Sequence, residues 1–199
     1  MEKMSFYKIK EGYTIRENNL SFDDSHNSDQ WQYEVYQLAY TMSKIIPKLL
    51  VLDIGCGSGY KLINIFKDFK TIGVELEEFY SKLIKKYPER KWLIKTNEPP
   101  KGKFGILILA DVIEHILNPD EMLEYIKQID FRYLIISTPN RDDEFLSQNG
   151  PPNNLAHIRE WSFQEFNDYI SEHFEIINHF VINKTQKTQC IICKKLNTN

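Results

Sequence analysis

Nine residues, Val51-Leu52-Asp53-Ile54-Gly55-Cys56-Gly57-Ser58-Gly59, constrain this 199-residue chain more than any other stretch. An apolar run over residues 49–52 leads into an acid and then into three glycines on alternate positions. Such a run, bounded by turn signals, predicts a buried strand. Beyond it, Leu62, Phe66 and Phe69 share one helical face, widened by Ile63 and Ile65. The glycines therefore occupy a strand-to-helix turn. There glycine permits positive φ and lets a ligand approach bare backbone. The helix N-terminus adds free N–H groups and the positive end of its dipole. A dinucleotide fingerprint would read G-x-G-x-x-G/A. Here Tyr60 stands at its final position and the last glycine comes one residue early. A crowding tyrosine fits poorly where a pyrophosphate must meet the helix.

From Val51 to Gly59 the stretch resembles the first motif of class I S-adenosylmethionine (SAM) dependent methyltransferases, hydrophobic-hydrophobic-Asp-hydrophobic-Gly-x-Gly-x-Gly. The resemblance implies a turn that cups the amino-acid and ribose portions of a ligand without phosphate. It places Asp53, Gly55, Cys56, Gly57 and Gly59 at the cofactor. It also implies the fold: an α/β protein, a three-layer α/β/α sandwich on a seven-stranded, mostly parallel sheet that ends in an antiparallel hairpin.

The rest of the chain reads consistently with that outline. Residues 1–30 are expected to form a tail or lid ahead of a domain over 31–199. Within them, residues 12–27 hold turn formers and few apolar anchors, so a loose tail and a lid over the cofactor both fit. A helix capped near Asp29 should follow, with Trp31, Val35, Leu38, Met42 and Ile45 on its core face. Gln32 and Tyr36 lie on a neighbouring face. A solvated flank accounts for them, while the resemblance makes them candidates for the pocket border. A second strand over 71–74 ends at Glu75, about 20 residues past the first glycine, where a ribose-binding carboxylate is expected. Such a carboxylate can accept from both ribose hydroxyls, and Leu76 follows it at the pocket. Glu75 could equally be an exposed acid favoured by a helix dipole. The next helix carries Phe79, Leu83, Ile84 and Tyr87 and stops at Pro88. A short strand over 91–95 leads to Asn97, which the resemblance makes a candidate for the adenine amino group, although Asn-Glu-Pro-Pro is also simply a turn.

Residues 104–110 predict a fourth strand that runs into Asp111-Val112-Ile113-Glu114-His115. This D-V-x-E-H string resembles the fourth-strand motif of a broad class I group that includes many small-molecule and glycan-cluster methyltransferases. It implies that Ala110 and Asp111 face the transferred methyl. Asn118-Pro119-Asp120 reads as a capped helix start, with Met122, Ile126 and Ile129 facing inward. A fifth strand over 133–137 stops at Pro139, which cannot donate to a ladder. Residues 141–161 lack a period, and connections of that length are usually functional or disordered. They end at a well-specified helix start: Ser162 caps, Glu165 completes a capping box, and Trp161 with Phe166 forms a hydrophobic staple. That staple should hold His157 and Arg159 in defined places, either in a substrate site or, on a well-stapled surface helix, paired with nearby acids. Residues 174–182 and 189–194 predict the closing hairpin around a polar turn. Cys190 and Cys193 form a lone C-x-x-C whose side chains point to opposite strand faces. With no second pair to complete zinc ligation, both read as structural.

The resemblance implies direct methyl transfer from a sulfonium to an O, N, S or C nucleophile, most simply on a small-molecule or sugar acceptor. Alignment and exclusion of water dominate such a reaction; a base is needed only where the nucleophile must lose a proton. Candidates for that base are His115, His157 and Glu114. A second reading resembles the metal-dependent small-RNA 3′-terminal 2′-O-methyltransferases, which carry E-x-x-E-H after the fourth strand. In it Asp111, Glu114, His115 and His157 would hold Mg²⁺ or Mn²⁺. This chain departs from that pattern in having Asp111 for the first glutamate, Arg159 for a phenylalanine, a single histidine before Trp161, and no basic excess. A third reading is a SAM-binding protein without catalysis. A nicotinamide oxidoreductase is disfavoured by Tyr60 and the terminal hairpin. Formal net charge is −3, so no global basic field points to nucleic acid. Three cysteines form no disulfide framework, which favours a reducing, cytoplasmic setting. The sequence shows no signal-peptide core and no apolar run of membrane-spanning length.

Overall fold

A computed structural model describes residues 6–17, 31–46, 50–143 and 145–196. Seven strands form one sheet: β1 Leu50–Ile54, β2 Thr71–Glu75, β3 Lys91–Ile94, β4 Lys103–Ala110, β5 Asp130–Pro139, β6 Phe174–Asn183 and β7 Thr188–Lys195. Their order is β3-β2-β1-β4-β5-β7-β6. The first five are parallel, and β7 pairs antiparallel with both β5 and β6. The strand order reverses between β1 and β4. At such a switch point the strand ends leave a crevice for a ligand.

Five helices cover the sheet: α1 Tyr33–Ile45, α2 Tyr60–Asn64, α3 Glu77–Lys86, α4 Pro119–Lys127 and α5 Phe163–Ser171. Alternation along β4 assigns them to layers. Leu107 and Leu109 join a core with Leu123 and Ile126 of α4 and Phe166 and Ile170 of α5. Ile106 and Ile108 join a second core with Val35 and Ala39 of α1, Leu62 of α2 and Leu83 of α3. Successive strand side chains point to opposite faces, so a continuous apolar run such as 104–110 supplies two cores at once. The result is the three-layer sandwich expected from the sequence. No described helix is long and apolar enough to cross a membrane.

Three local expectations need correction. The buried face of α1 consists of Val35, Tyr36, Ala39 and Ser43, whereas Trp31 and Ile45 are exposed. Val35, Leu38 and Met42 of the expected face do pack on the second core, and Tyr36 joins them to reach a buried partner on β1. The expected cap at Asp29 lies outside the described residues. α2 is a single short helix; its last apolar residues, Phe66 and Phe69, belong to the following turn yet still pack on the second core. Asn118 does not cap α4 through its side chain; its Nδ2 donates instead to Glu121 Oε1 at 2.8 Å. The start of α5 follows expectation. Ser162 Oγ accepts from the Glu165 backbone N–H, Glu165 answers to the Ser162 N–H, and the Trp161 and Phe166 ring centroids lie 5.7 Å apart. Cys56, Cys190 and Cys193 are buried free thiols.

Residues 6–17 form a strap across the loop 141–161. Thr14 N donates to Asn149 O and Arg16 N to Ile158 O, both at 2.8 Å. Arg16 Nη2 donates to Pro152 O at 2.7 Å. Trp161 Nε1 donates to Tyr7 O at 2.9 Å. Residues 18–30 lie outside the described structure, so the tail-or-lid expectation over 12–27 bears here only on its first part, which is an ordered strap.

Candidate functional site

A cavity of about 600 Å³ opens at the C-terminal ends of β1, β2 and β4. Gly55, Cys56 and Gly57 form one wall, with Glu75, Leu76 and Tyr36 around them. All three glycines of the turn have positive φ: 75° at Gly55, 53° at Gly57 and 70° at Gly59. Gly59 does not line the cavity. A Cβ there would lie 2.7 Å from Trp92 and 2.8 Å from Leu83, so this glycine lets α2 pack against α3 and β3. Glu75 locks the turn: its Oε2 accepts from Gly57 N and its Oε1 from Leu76 N, both at 2.8 Å. The buried carboxylate thus lies against the glycine turn and on the cavity.

Asp53 sits just beneath this wall and is fully buried. Tyr36 Oη donates to its Oδ2 at 2.9 Å, and its Oδ1 has no hydrogen-bond partner among the described residues. Burial pushes its carboxyl up to about 7, against the pull of Tyr36 and of the nearby Lys61 charge. Tyr36 is therefore a buried member of the site, where a solvated flank had been one expectation. The Cys56 thiol is held in its protonated form by burial.

Ala110 and Asp111 lie at the end of β4, facing the same cavity. Asp111 has a φ of 51°, a region that non-glycine residues occupy at some cost. Ser137 at the end of β5 holds it there, donating from Oγ to Asp111 Oδ1 at 2.6 Å and accepting the Asp111 N–H. Burial raises the Asp111 carboxyl.

The other half of the cavity is built by a 3-10 turn, Ile113–His115, and the loop after β5. Glu114 is fully buried. Its Oε2 accepts from Thr138 Oγ1 at 3.1 Å, and its Oε1 has no hydrogen-bond partner among the described residues. Burial raises its carboxyl well above the ordinary range, and the charges of Asp111 and Glu160 add to this. His115 Nδ1 lies 2.8 Å from Ala156 O; because a carbonyl only accepts, this nitrogen carries the proton. Burial, with His157 adding to it, lowers the His115 ring to about 4. His157 Nδ1 lies 2.6 Å from Glu160 Oε1, and its Nε2 lies 3.0 Å from the Asn154 side-chain amide. A carboxylate only accepts, so Nδ1–H donates to Glu160, and Nε2 accepts from the Asn154 amide N–H. The two imidazoles meet edge to face with centroids 4.7 Å apart. One ligand atom from each of Glu114, His115 and His157 falls within 4.8 Å of the others.

The structure therefore gathers Tyr36, Gly55, Cys56, Gly57, Glu75, Leu76, Ala110, Asp111, Glu114, His115 and His157 around one cavity. Asn97 is not among them; it borders a separate hollow with Lys95 and Tyr125. Arg159 is also elsewhere. It is fully buried, donates to Ile116 O and Leu117 O at 2.8 and 2.7 Å, and lies over the Tyr7 ring. It is a scaffold residue, and the expected place in a substrate site is withdrawn. Sequence reasoning missed Lys61, Asn154 and Glu160, all on the cavity. Only Glu160 left a signal: it stands three residues after His157, beside a helix start already singled out.

A methyltransferase-domain family model matches residues 26–183. The chain belongs to that family. Solved structures agree with this class I methyltransferase fold. A SAM-dependent methyltransferase from Aquifex aeolicus is 18% identical, with a TM-score of 0.65 over 88% of this chain and all of that one. Magnesium protoporphyrin IX methyltransferase from Synechocystis, solved with S-adenosylhomocysteine, is 15% identical, with a TM-score of 0.62 over 91% and 90% of the two chains. The Burkholderia thailandensis 1,6-didemethyltoxoflavin-N1-methyltransferase is 15% identical, with a TM-score of 0.60 over 82% and 79%. No curated protein matches the sequence. This methyltransferase is a SAM-dependent enzyme. The glycine turn, with its bare backbone and flanking acid, suits a nucleoside that carries no phosphate.

Proposed function

We propose that this methyltransferase acts on a small-molecule or sugar acceptor whose nucleophile gives up a proton. SAM supplies the transferable methyl on its sulfonium. In this reading Glu75, on the cavity beside the glycine turn, takes the ribose hydroxyls, and Ala110 and Asp111, at the end of β4, face the methyl. His157 is the base. The observation that carries the reading is its hydrogen-bond pattern. Glu160 accepts from Nδ1 and so leaves Nε2 as the unprotonated ring nitrogen, on the cavity wall, where the Asn154 amide that now donates to it would be displaced by the acceptor's X–H. His115, low in basicity and tied to Ala156, shapes the acceptor side, and Glu114 underlies it. The test is a panel of phenols, sugars, amines and thiols incubated with SAM, followed by release of S-adenosylhomocysteine. With the acceptor so found, His157→Ala should lower turnover about 10²–10⁴-fold, the usual range for general-base loss, while SAM affinity stays within threefold. Unchanged turnover would make the histidine structural.

One observation favours a second reading. Glu114, His115 and His157 converge within ligand distance, and Glu114 Oε1 is buried with no hydrogen-bond partner among the described residues. Each histidine also turns its Nδ1 to a carbonyl or carboxylate, as metal-ligating histidines do. Asp111, the fourth residue of the expected set, lies outside this cluster. Under this reading a divalent cation would orient terminal hydroxyls of RNA. Titration with Mn²⁺ should then give one saturable site that His115→Ala and Glu114→Gln abolish. Mn²⁺ that does not bind would leave only the metal-free reading.

A further inference from the structure

We propose that Lys61 binds the carboxylate of the cofactor's methionine portion, with Tyr36 holding its ammonium in place. The inference rests on SAM being the cofactor of the cavity described above. Lys61 stands in the first turn of α2, directly after the glycine turn. Lysine ammonium groups normally stay in water. Lys61 is only 8% exposed and lines the cavity. Its Nζ lies 5.2 Å from the centroid of the Tyr36 ring, a cation–π arrangement. The Tyr36 hydroxyl in turn donates to Asp53, which fixes the ring. Among the described residues Nζ has neither a hydrogen bond nor an ion pair within 4 Å. Its charge still reaches Asp53 and Asp111 and holds both carboxyls below where burial alone would put them.

A buried ammonium with only an aromatic face against it is poorly compensated. An anionic group entering the cavity supplies what is missing. The remaining charges of the cavity decide which one. Glu75, Glu78 and Glu160 make it acidic, which suits a sulfonium and an ammonium but opposes a carboxylate. SAM carries all three. The backbone N–H of Gly57 is already given to Glu75, so it is not open to the carboxylate. Lys187, the other lysine of the lining, is paired with Asp143 and stacked over Phe145. Lys61 is thus the cation beside the glycine turn that can offset the cofactor's one negative group.

The experiment compares two ligands that differ only in that group, SAM and decarboxylated SAM, by calorimetry on wild-type protein and on Lys61→Met. The lysine should contribute one charge-assisted contact, so Lys61→Met should weaken SAM binding about 10–100-fold. Affinity for decarboxylated SAM should move less than threefold. Lys61→Arg should recover most of the difference. Equal weakening of both ligands, or of neither, overturns the assignment. Circular dichroism checks that the variant folds; should Lys61→Met misfold, Lys61→Gln carries the same comparison. Wild-type protein that binds neither ligand would instead overturn the cofactor site on which the inference stands.

Discussion

The carboxyl of Asp53 is fully buried, and among the described residues only the Tyr36 hydroxyl donates to it. Folding therefore favours its protonated form, with the group titrating near pH 7 in place of its ordinary 3.8. The sign follows directly. The folded chain binds more protons than the unfolded one between these two values, so stability falls as pH rises from about 4 to about 7 and is flat beyond. Asp53→Asn keeps an acceptor for Tyr36 and removes the titration. Urea unfolding at pH 5 and pH 8 should show the variant gaining on wild type by about 2–3 kcal/mol over that interval. A constant difference between the two pH values would mean that Asp53 is ionised in the folded protein throughout. This residue also explains why the buried place of Tyr36 on α1 was not legible. Hydropathy periodicity counts apolar side chains, and it cannot register that a tyrosine turns inward to serve an acid on another element.

At the scale of elements, the strap 6–17 and the loop 141–161 behave as one piece. The loop could not hold His157 and Glu160 by apolar packing alone, because much of it is polar. Backbone pairing does it instead, together with Arg16 on Pro152 O and the Tyr13 hydroxyl accepting from Glu160 N at 3.1 Å. Gly150 is the point of closest approach. It has φ 65°, and a Cβ on it would fall 2.0 Å from Thr14 O. Backbone cannot yield there as a flexible side chain would. Gly150→Ala should cost about 2–4 kcal/mol, from left-handed strain plus displacement of the strap. Denaturant midpoints measure the loss, and faster tryptic cleavage after Arg16 reports the release of the strap. A variant with wild-type stability and wild-type cleavage would show that strap and loop are not clamped at this point. The same logic bounds what the sequence could reveal. The α5 start was legible because its cap, box and staple are local. The roles of Arg141 and Arg159 were not, since each depends on partners far away in the chain: Arg141 on Glu165 and the Tyr13 ring, Arg159 on two carbonyls and Tyr7.

Taken whole, the molecule divides its site by sequence distance. The wall proposed for the cofactor comes from nearby residues: the glycine turn, Lys61 and Glu75 all fall between 53 and 76, on two adjacent strands and the turns after them. This is why one contiguous motif, with the family resemblance it carries, reached the glycine turn and Glu75, though not Lys61. The exception, Asn97, was placed by analogy at the end of β3, and here it borders another hollow. The other side of the cavity takes Asn154, His157 and Glu160 from the loop that residues 13–16 clasp, and these polar members sit where composition would predict only a polar loop. A different consequence follows from the strap. Its residues are synthesised about 135 or more positions ahead of their partners, and β7, which fits between β5 and β6, comes later still. At roughly 5–20 residues per second, many seconds separate the two halves of each clasp. The nascent chain can therefore assemble β1, β2 and the glycine turn while its first segment has nothing to grip. The clasp between strap and loop can close only once residues 149–161 have emerged, long after the glycine turn.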